Sequence, residues 1–367
     1  MRFFGRSAMM ALACTLGLTN LASARPFAQG HSPWNTRLIA TPRIASNDRT
    51  KIDWLRAQGL GNFFWSPRVS VPYDNAHDES IPIYHTTRSD PLVRLHCFET
   101  YFACPLAGRT IRMPAKAMPQ GGGRGDAHLV SVQPSGKDVE LYEVRTSGDW
   151  QAGHTYRVGF GGIGTSLATG DGWRPAIIAD AGGASLVGGA VTAAELELGP
   201  GGIRHALAVS TPCGGNTSVY PALGRAQQEC RRGNPRPEQD IPLGAHLWLD
   251  LTRAQIDRLG RMVHDQKTVL YALHDYGAYV EDTNANQFTL NLQWTPVSQA
   301  PAIVAGTLDS LGARAAANMR YWYTDITGRR AYHLTSDNIT EPGGRGFDLL
   351  AHLHVLDPCE SHNPRRC

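Results

Sequence analysis

The sequence predicts a mainly β protein, a β-sandwich or jelly roll with a few flanking helices. Three observations predict it. Glycine and proline are plentiful, at 39 and 23 residues, which suits a turn-rich chain. Faces of alternating Lys and Glu at helical spacing are few. Short segments alternate apolar and polar residues with the period of two that marks a half-buried strand.

The strands come first. His128-Leu129-Val130-Ser131-Val132 and Val139-Glu140-Leu141-Tyr142-Glu143-Val144 both alternate. The link Pro134-Ser135-Gly136-Lys137-Asp138 between them has turn chemistry, so the pair reads as a β-hairpin. Further strands are expected at Thr155–Phe160, Ile203–Val209, His246–Leu249, Ala278–Val280 and Phe288–Leu292. Helices are expected over Asp53–Gln58, Thr192–Leu198, Thr252–Tyr276 and Leu308–Met319. Thr192 with Glu195, and Thr252 with Gln255, have the spacing of capping boxes. Ile256, Leu259, Met262 and Val263 then follow at helical spacing, with Gly260 or the Asp265-Gln266-Lys267 stretch as a point where the third helix would break. Gly277 is its stop.

The N-terminus has the three-part layout of a secretory signal peptide over residues 1–24: Arg2 and Arg6, an apolar run from Ala8 to Leu18, then Ala22-Ser23-Ala24. That run is shorter than the roughly 20 residues a membrane span needs, and no other stretch would span a bilayer. A lipidated Cys14 is the rival reading, but the apolar run continues past it. The expected location is therefore secreted or periplasmic. Residues 25–295 form a β-rich catalytic or binding domain, and 296–367 a C-terminal extension packed on it. There is no internal repeat.

Removing Cys14 leaves Cys97, Cys104, Cys213, Cys230, Cys359 and Cys367. An even number in an exported chain points to disulfides. Three sequence-local pairs are the simplest of the roughly 15 connectivities, each contributing about 2–3 kcal/mol. Their spacings do not resemble two-residue metal knuckles. Removing Arg2 and Arg6 brings Lys+Arg from 35 to 33 against 32 Asp+Glu. The basic residues are scattered, which argues against a nucleic-acid partner. Gly121-Gly122-Gly123-Arg124-Gly125 lacks the lysine-serine pair and helix of a phosphate loop and reads as a plain loop.

Several motifs recur in a familiar order: Trp34-Asn35-Thr36; Asp126-x-His128-Leu129-Val130; Leu141-Tyr142-Glu143; Gly202-Ile203-x-His205-Ala206-Leu207; and Tyr276-Gly277-Ala278-Tyr279-Val280-Glu281-Asp282. This order resembles a family of exported bacterial proteins without an established activity, over roughly residues 34–286. The resemblance implies candidate positions and no reaction.

Strand alternation suggests which of these residues face inward. His128 would share a face with Val130 and Val132, Glu143 with Val139 and Leu141, and His205 with Ile203, Leu207 and Val209. Buried ionisable groups need partners, and these three would partner one another. The first reading is a polysaccharide-degrading enzyme. Glu143 with Asp126 or Asp282 would supply the paired carboxylates of a glycoside hydrolase. Alternatively His128 or His205 would abstract a proton beside a uronate, assisted by Tyr142 or Arg204, as a lyase requires. Trp34, Asn35, Arg204, Trp65 and Tyr73 would contact the glycan. The second reading is a His-Glu-His metal site as in a cupin, which the absence of a short His-x-His pair at these strands disfavours. The third is a structural polar knot.

No metal or cofactor is assigned, and His352 with His354 reads as incidental. Asp74, His77, Asp78 and Glu79 read as solvated surface. No Gly-x-Ser-x-Gly elbow is present, and the mature cysteines have partners. The alternative from a different class is a non-catalytic carbohydrate-binding or cell-envelope interaction protein.

Overall fold

A computed structural model describes residues 32–58, 64–71, 81–99, 104–163 without 124 and 147–148, 182–222 without 192 and 212–216, 233–283 without 263, 289–290, 293–294, 322–324, 330–335 and 339–358. The first half of the chain supplies β1 (Phe64–Val71), β2 (Ile81–His85), β3 (Leu92–Cys97), β4 (Thr110–Arg112), β5 (Leu129–Val132), β6 (Asp138–Tyr142), β7 (Thr155–Val158) and β8 (Phe160–Ile163). The second half supplies β9 (Leu207–Thr211), β10 (His246–Leu249), β11 (Ala278–Thr283), β12 (Thr289–Leu290), β13 (Gln293–Trp294), β14 (Trp322–Thr324), β15 (Arg330–Thr335) and β16 (Leu353–Val355). The helices are α1 (Asp48–Ala57), α2 (Ala193–Leu198), α3 (Arg253–Ile256), α4 (His264–Asp275) and α5 (Leu349–His352). The protein is mostly β with few helices.

The strands make three sheets. The largest has eight strands in the order β14-β15-β1-β12-β9-β11-β10-β16, the next five in the order β13-β2-β5-β6-β8, and the smallest three in the order β4-β3-β7. The pairing is mixed. β9 with β11, β2 with β5 and β3 with β7 are parallel, whereas β5 with β6 and β10 with β11 are antiparallel.

Period-two alternation explains how the sheets layer. On β9, Leu207 and Val209 join a core with Val269, Leu270 and Leu273 of α4 and Ile52 and Leu55 of α1. Ala206, before β9, and Ala208 point the other way, to Trp34, Ala184 and Tyr279. On the five-stranded sheet, Leu129, Val139 and Leu141 pack with Val93, Leu95, Ile111 and Val158 of the three-stranded sheet. The opposite face, with Ile83, Val130 and Val132, packs on Leu186, Val187 and Ala190.

The segment Gly182–Val191 thus packs against both large sheets. Its glycines explain how it fits. A Cβ on Gly189 would stand 2.3 Å from the Ala208 amide nitrogen of β9, and one on Gly182 2.3 Å from the Glu281 carbonyl oxygen of β11. On the other side, Glu140 of β6 is fully buried. It accepts hydrogen bonds from Ser185 Oγ at 2.8 Å and from the Leu186 amide at 3.0 Å.

Most local expectations meet their elements. The hairpin pairs Leu129 with Leu141 through Val132 with Asp138, and Gly136 turns it at φ 80°. β10 has the expected bounds, and the Thr252–Gln255 capping box is present. The long helix is two helices, because Gly260 leaves the helical ladder to exchange hydrogen bonds with Thr340 at 2.7 and 3.0 Å. α1 begins five residues earlier than expected, at Asp48. The expected strand Thr155–Phe160 is interrupted at Gly159 into β7 and β8. Cys97 and Cys104 form a disulfide. Cys213, Cys230, Cys359, Cys367, Thr192, the cluster at 74–79 and the helix expected over 308–319 lie outside the described residues. No described helix is long and apolar enough to cross a membrane.

Gly189→Ala is expected to cost roughly 1–3 kcal/mol by overpacking. Gly346→Ala, where a Cβ would meet nothing within 4 Å, should stay within about 0.5 kcal/mol. Urea unfolding checks this, with the midpoint falling at unchanged slope for Gly189→Ala alone.

Candidate functional site

The candidate site lies at the ends of β5, β6 and β11, on the faces that the two large sheets turn toward each other. His128 precedes β5 and follows the parity of Val130 and Val132. Tyr142 ends β6 with the parity of Glu140. Their rings lie 5.5 Å apart, and Tyr142 also stacks on Phe160 at 6.1 Å.

Asp282 reaches the same face through a β-bulge. β11 pairs Tyr279 with Ala208 and Val280 with Val209, but then Asp282 with Ser210. Glu281 is the extra residue. In a regular strand that paired Glu281 in turn, Asp282 would follow Val280 into the helix-side core. The bulge shifts it to the face of Tyr279 and Ala208, a recurrent way to re-aim a side chain beside a functional site.

The backbone is strained at the same place. Ala127 and Glu143 have φ of 44° and 51°, the left-handed region that non-glycine residues rarely adopt. The two are neighbours across the hairpin, through the Glu143 amide to the Asp126 carbonyl at 2.8 Å and the Val144 amide to the Ala127 carbonyl at 3.2 Å. Such residues cost about 1–3 kcal/mol each and cluster at functional sites. Gly159 makes room: a Cβ there would stand 2.7 Å from Glu143 Oε2. Glu143 Oε1 accepts from Arg145 at 2.8 Å.

The electrostatics bind these residues into one group. Burial pushes the Asp282 carboxyl up to about 7; the Thr283 amide, donating at 2.7 Å, opposes this, and the negative charge of Asp126 adds to it. Burial, then Asp126, Glu143 and Asp282, raise the Tyr142 phenol to about 12. Tyr142 therefore keeps its proton, and donates it to Asp126 Oδ1 over 3.4 Å. Burial lowers the His128 pKa against the pull of Asp126. The neutral imidazole buries Nδ1 without a hydrogen-bond partner among the described residues. A carboxyl whose pKa burial raises to about 7, with a second carboxyl group next to it, is the arrangement in which environment splits acid and base roles.

The structure thus joins Asp126, His128, Tyr142, Glu143 and Asp282. It gives His205 another partner. His205 lies before β9 rather than in it, buried, with Nε2 3.1 Å from Glu195 Oε1 of α2 and Nδ1 2.8 Å from the Ala206 carbonyl. Burial lowers its pKa, but Glu195 and that carbonyl outweigh burial and raise it overall. Strand parity also misplaces Glu143: Val139 and Leu141 face the three-stranded sheet, opposite to Val130 and Val132, and the left-handed turn takes Glu143 off that pattern. Trp34 is fully buried, edge-on to Tyr279 at 4.8 Å and against Gly188. Its ring packs the core and offers no open face to a sugar. Asn35 is half-buried and Arg204 exposed. Trp65 lies in β1, with its side chain outside the described residues, as is all of Tyr73.

His352 and His354 face Glu341 and Asp48. No group of three or more metal-ligating side chains occurs among the described residues. Sequence reasoning missed Glu140, Ser185 and the partnership of Glu195 with His205. The run Gly182-Gly183-Ala184-Ser185 with Gly188-Gly189-Ala190 is the signal that marks a close backbone approach. Comparison with protein-family models, with curated proteins and with solved structures yields no match.

Because the folded-state pKa of Asp282 stands above the ordinary 3.8, the folded chain holds a proton that the unfolded chain lacks. Its stabilising contribution is full below 3.8 and is lost as pH rises through about 7. Asp282→Asn cannot ionise, so its melting temperature should fall less than the wild type's between about pH 5 and pH 8. Calorimetry at the two pH values checks this.

Proposed function

We propose that this protein is a secreted polysaccharide-degrading enzyme that cleaves glycosidic bonds by acid/base catalysis at Asp282, Asp126, Tyr142, Glu143 and His128. The observation that carries the reading is geometric: the bulge at Glu281 turns Asp282 toward the strained hairpin end where Asp126, Tyr142 and Glu143 gather, and burial there pushes the Asp282 carboxyl up to about 7. In hydrolysis, Asp282 gives its proton to the leaving oxygen as the glycosidic C–O bond breaks. Asp126 or Glu143 takes the proton of the attacking water, or first attacks the anomeric carbon itself.

His128 favours a second branch of the same reading, a lyase. An imidazole whose pKa burial lowers, set beside Asp126 and the Tyr142 ring, is of the type that removes the proton beside a uronate carboxylate. The electron pair then forms a C=C bond as the glycosidic oxygen leaves, and that oxygen takes the proton of Asp282. Tyr142 holds Asp126 and supplies a neutral donor in both branches.

The Cys97–Cys104 disulfide supports an oxidising compartment. The ordered motifs support kinship with exported bacterial proteins. We read the large sheets as layers of a sandwich, supported by the two apolar faces that meet the Gly182–Val191 segment.

Mass spectrometry of products from a polysaccharide panel tests the proposal. Fragments with one added water identify a hydrolase, and unsaturated fragments a lyase. Asp282→Asn is expected to lower turnover about 10²–10⁴-fold, with the folded state retained at acid pH. A folded wild type that binds glycans and releases no fragments would instead identify a non-catalytic carbohydrate-binding protein.

A further inference from the structure

We infer that the solvent face of the three-stranded sheet is a binding track for a polyanionic glycan, so that the substrate class is an acidic, uronate-bearing polysaccharide. The inference rests on the proposed function and adds the charge of the substrate to it.

Strand alternation sets the face. On β3, Val93 and Leu95 are buried, while Leu92, Arg94 and His96 are exposed. On β7, Val158 is buried while Thr155 and Arg157 are exposed. On β4, Ile111 is buried while Arg112 is half-exposed. Register brings the outward residues together: Arg94 lies beside Thr155 and Thr110, His96 beside Arg157, and Leu92 beside Arg112. None of the three strands carries an Asp or Glu. Among the described residues no salt bridge engages Arg94, Arg112 or Arg157. Arg112 donates to the Asp90 carbonyl at 2.7 Å and Arg157 lies over the Phe98 ring; with five N–H donors each, the guanidinium groups keep further donors for carboxylates, which they bind in a planar, two-pronged geometry.

The track has two ends. At Leu92 it opens into a cleft of about 420 Å³ bordered by Arg88, Arg112 and Gln133. At the other end stands Phe98, with the Arg157 guanidinium 4.9 Å and the Arg145 guanidinium 5.4 Å from its ring centre. Arg145 is the residue that pairs with Glu143 of the candidate site. The six residues of β3 span roughly 20 Å at about 3.3 Å each, the length of an extended chain segment rather than one small molecule. Two guanidinium groups gathered at one aromatic ring suit a sugar ring that carries its own carboxylate. Single-stranded nucleic acid shares the charge, but the carboxyl groups of the proposed site, which Arg145 links to this face through Glu143, are suited to glycosidic acid/base chemistry.

Affinity electrophoresis of the full chain through gels containing polygalacturonate, a neutral glucan or single-stranded DNA tests this, with Arg94→Gln/Arg157→Gln as the variant. Both positions are exposed, and circular dichroism monitors the fold. The wild type is expected to be retarded by polygalacturonate and not by the glucan. The variant should bind polygalacturonate at least about tenfold more weakly, as losing two charge-assisted contacts implies. Equal retardation of wild type and variant, no retardation by polygalacturonate, or stronger retardation by DNA would overturn the inference. Retardation that depends on the arginines but yields no cleaved product would leave the track standing and overturn the enzyme reading. Cleavage of the neutral glucan without binding to polygalacturonate would do the reverse.

Discussion

The buried carboxyl group of Glu140 is the contact on which the rest of the arrangement depends. It projects from β6 toward the eight-stranded sheet and takes hydrogen bonds from Ser185 and Leu186. Burial, and then the neighbouring Asp138, push its pKa well above the usual carboxylate range. A neutral, hydrogen-bonded acid tolerates this position where an ionised one would carry a desolvation cost of several kcal/mol. Through these bonds the five-stranded sheet holds the Gly182–Val191 segment. Through bare glycine backbone that segment sits against β9 and β11. A side chain at Gly182 or Gly189 would lever the sheets apart.

That spacing fixes the chemistry at the edge of the same interface. Asp282 is desolvated because the two sheets approach closely, and it meets the field of Asp126 because the bulge at Glu281 turns it toward β5 and β6. The strained backbone at Ala127 and Glu143 is held by hydrogen bonds across the hairpin end and by the gap at Gly159. Strain costs stability locally, and the large cores on either side offset it: one between the helices and the eight-stranded sheet, the other between the five- and three-stranded sheets. The site is therefore a product of packing between layers, with no single loop building it.

Much of the local structure was legible in the sequence. Hairpin alternation, the Gly136 turn and the Thr252 cap are all signals within a few residues. What lay beyond reach was non-local. Alternation assigned Glu143 to the face of Val139 and Leu141, because nothing in the residue type announces a left-handed turn at a glutamate. It would equally have sent Asp282 to the face of Val280, because a bulge leaves no mark in a period-two pattern. Glu195 looked like half of a capping box, and nothing in its local spacing announces that its carboxylate lies 3.1 Å from His205. Asp126, Tyr142, Glu143, His128 and Asp282 were all named from sequence, with Asp282 offered as a paired carboxylate, yet the bulge that turns Asp282 toward the others is a tertiary fact.

The most direct measurement is the titration of the Asp282 carboxyl itself, by carbon-13 NMR of aspartate-labelled protein with Asp282→Asn to assign the resonance. The midpoint should lie near 7 and fall when Asp126 is replaced by Asn, since the Asp126 charge contributes to the shift. A midpoint at the ordinary aspartate value of 3.8, unmoved by Asp126→Asn, would show that the two carboxyl groups do not share a desolvated site and would contradict the acid/base assignment.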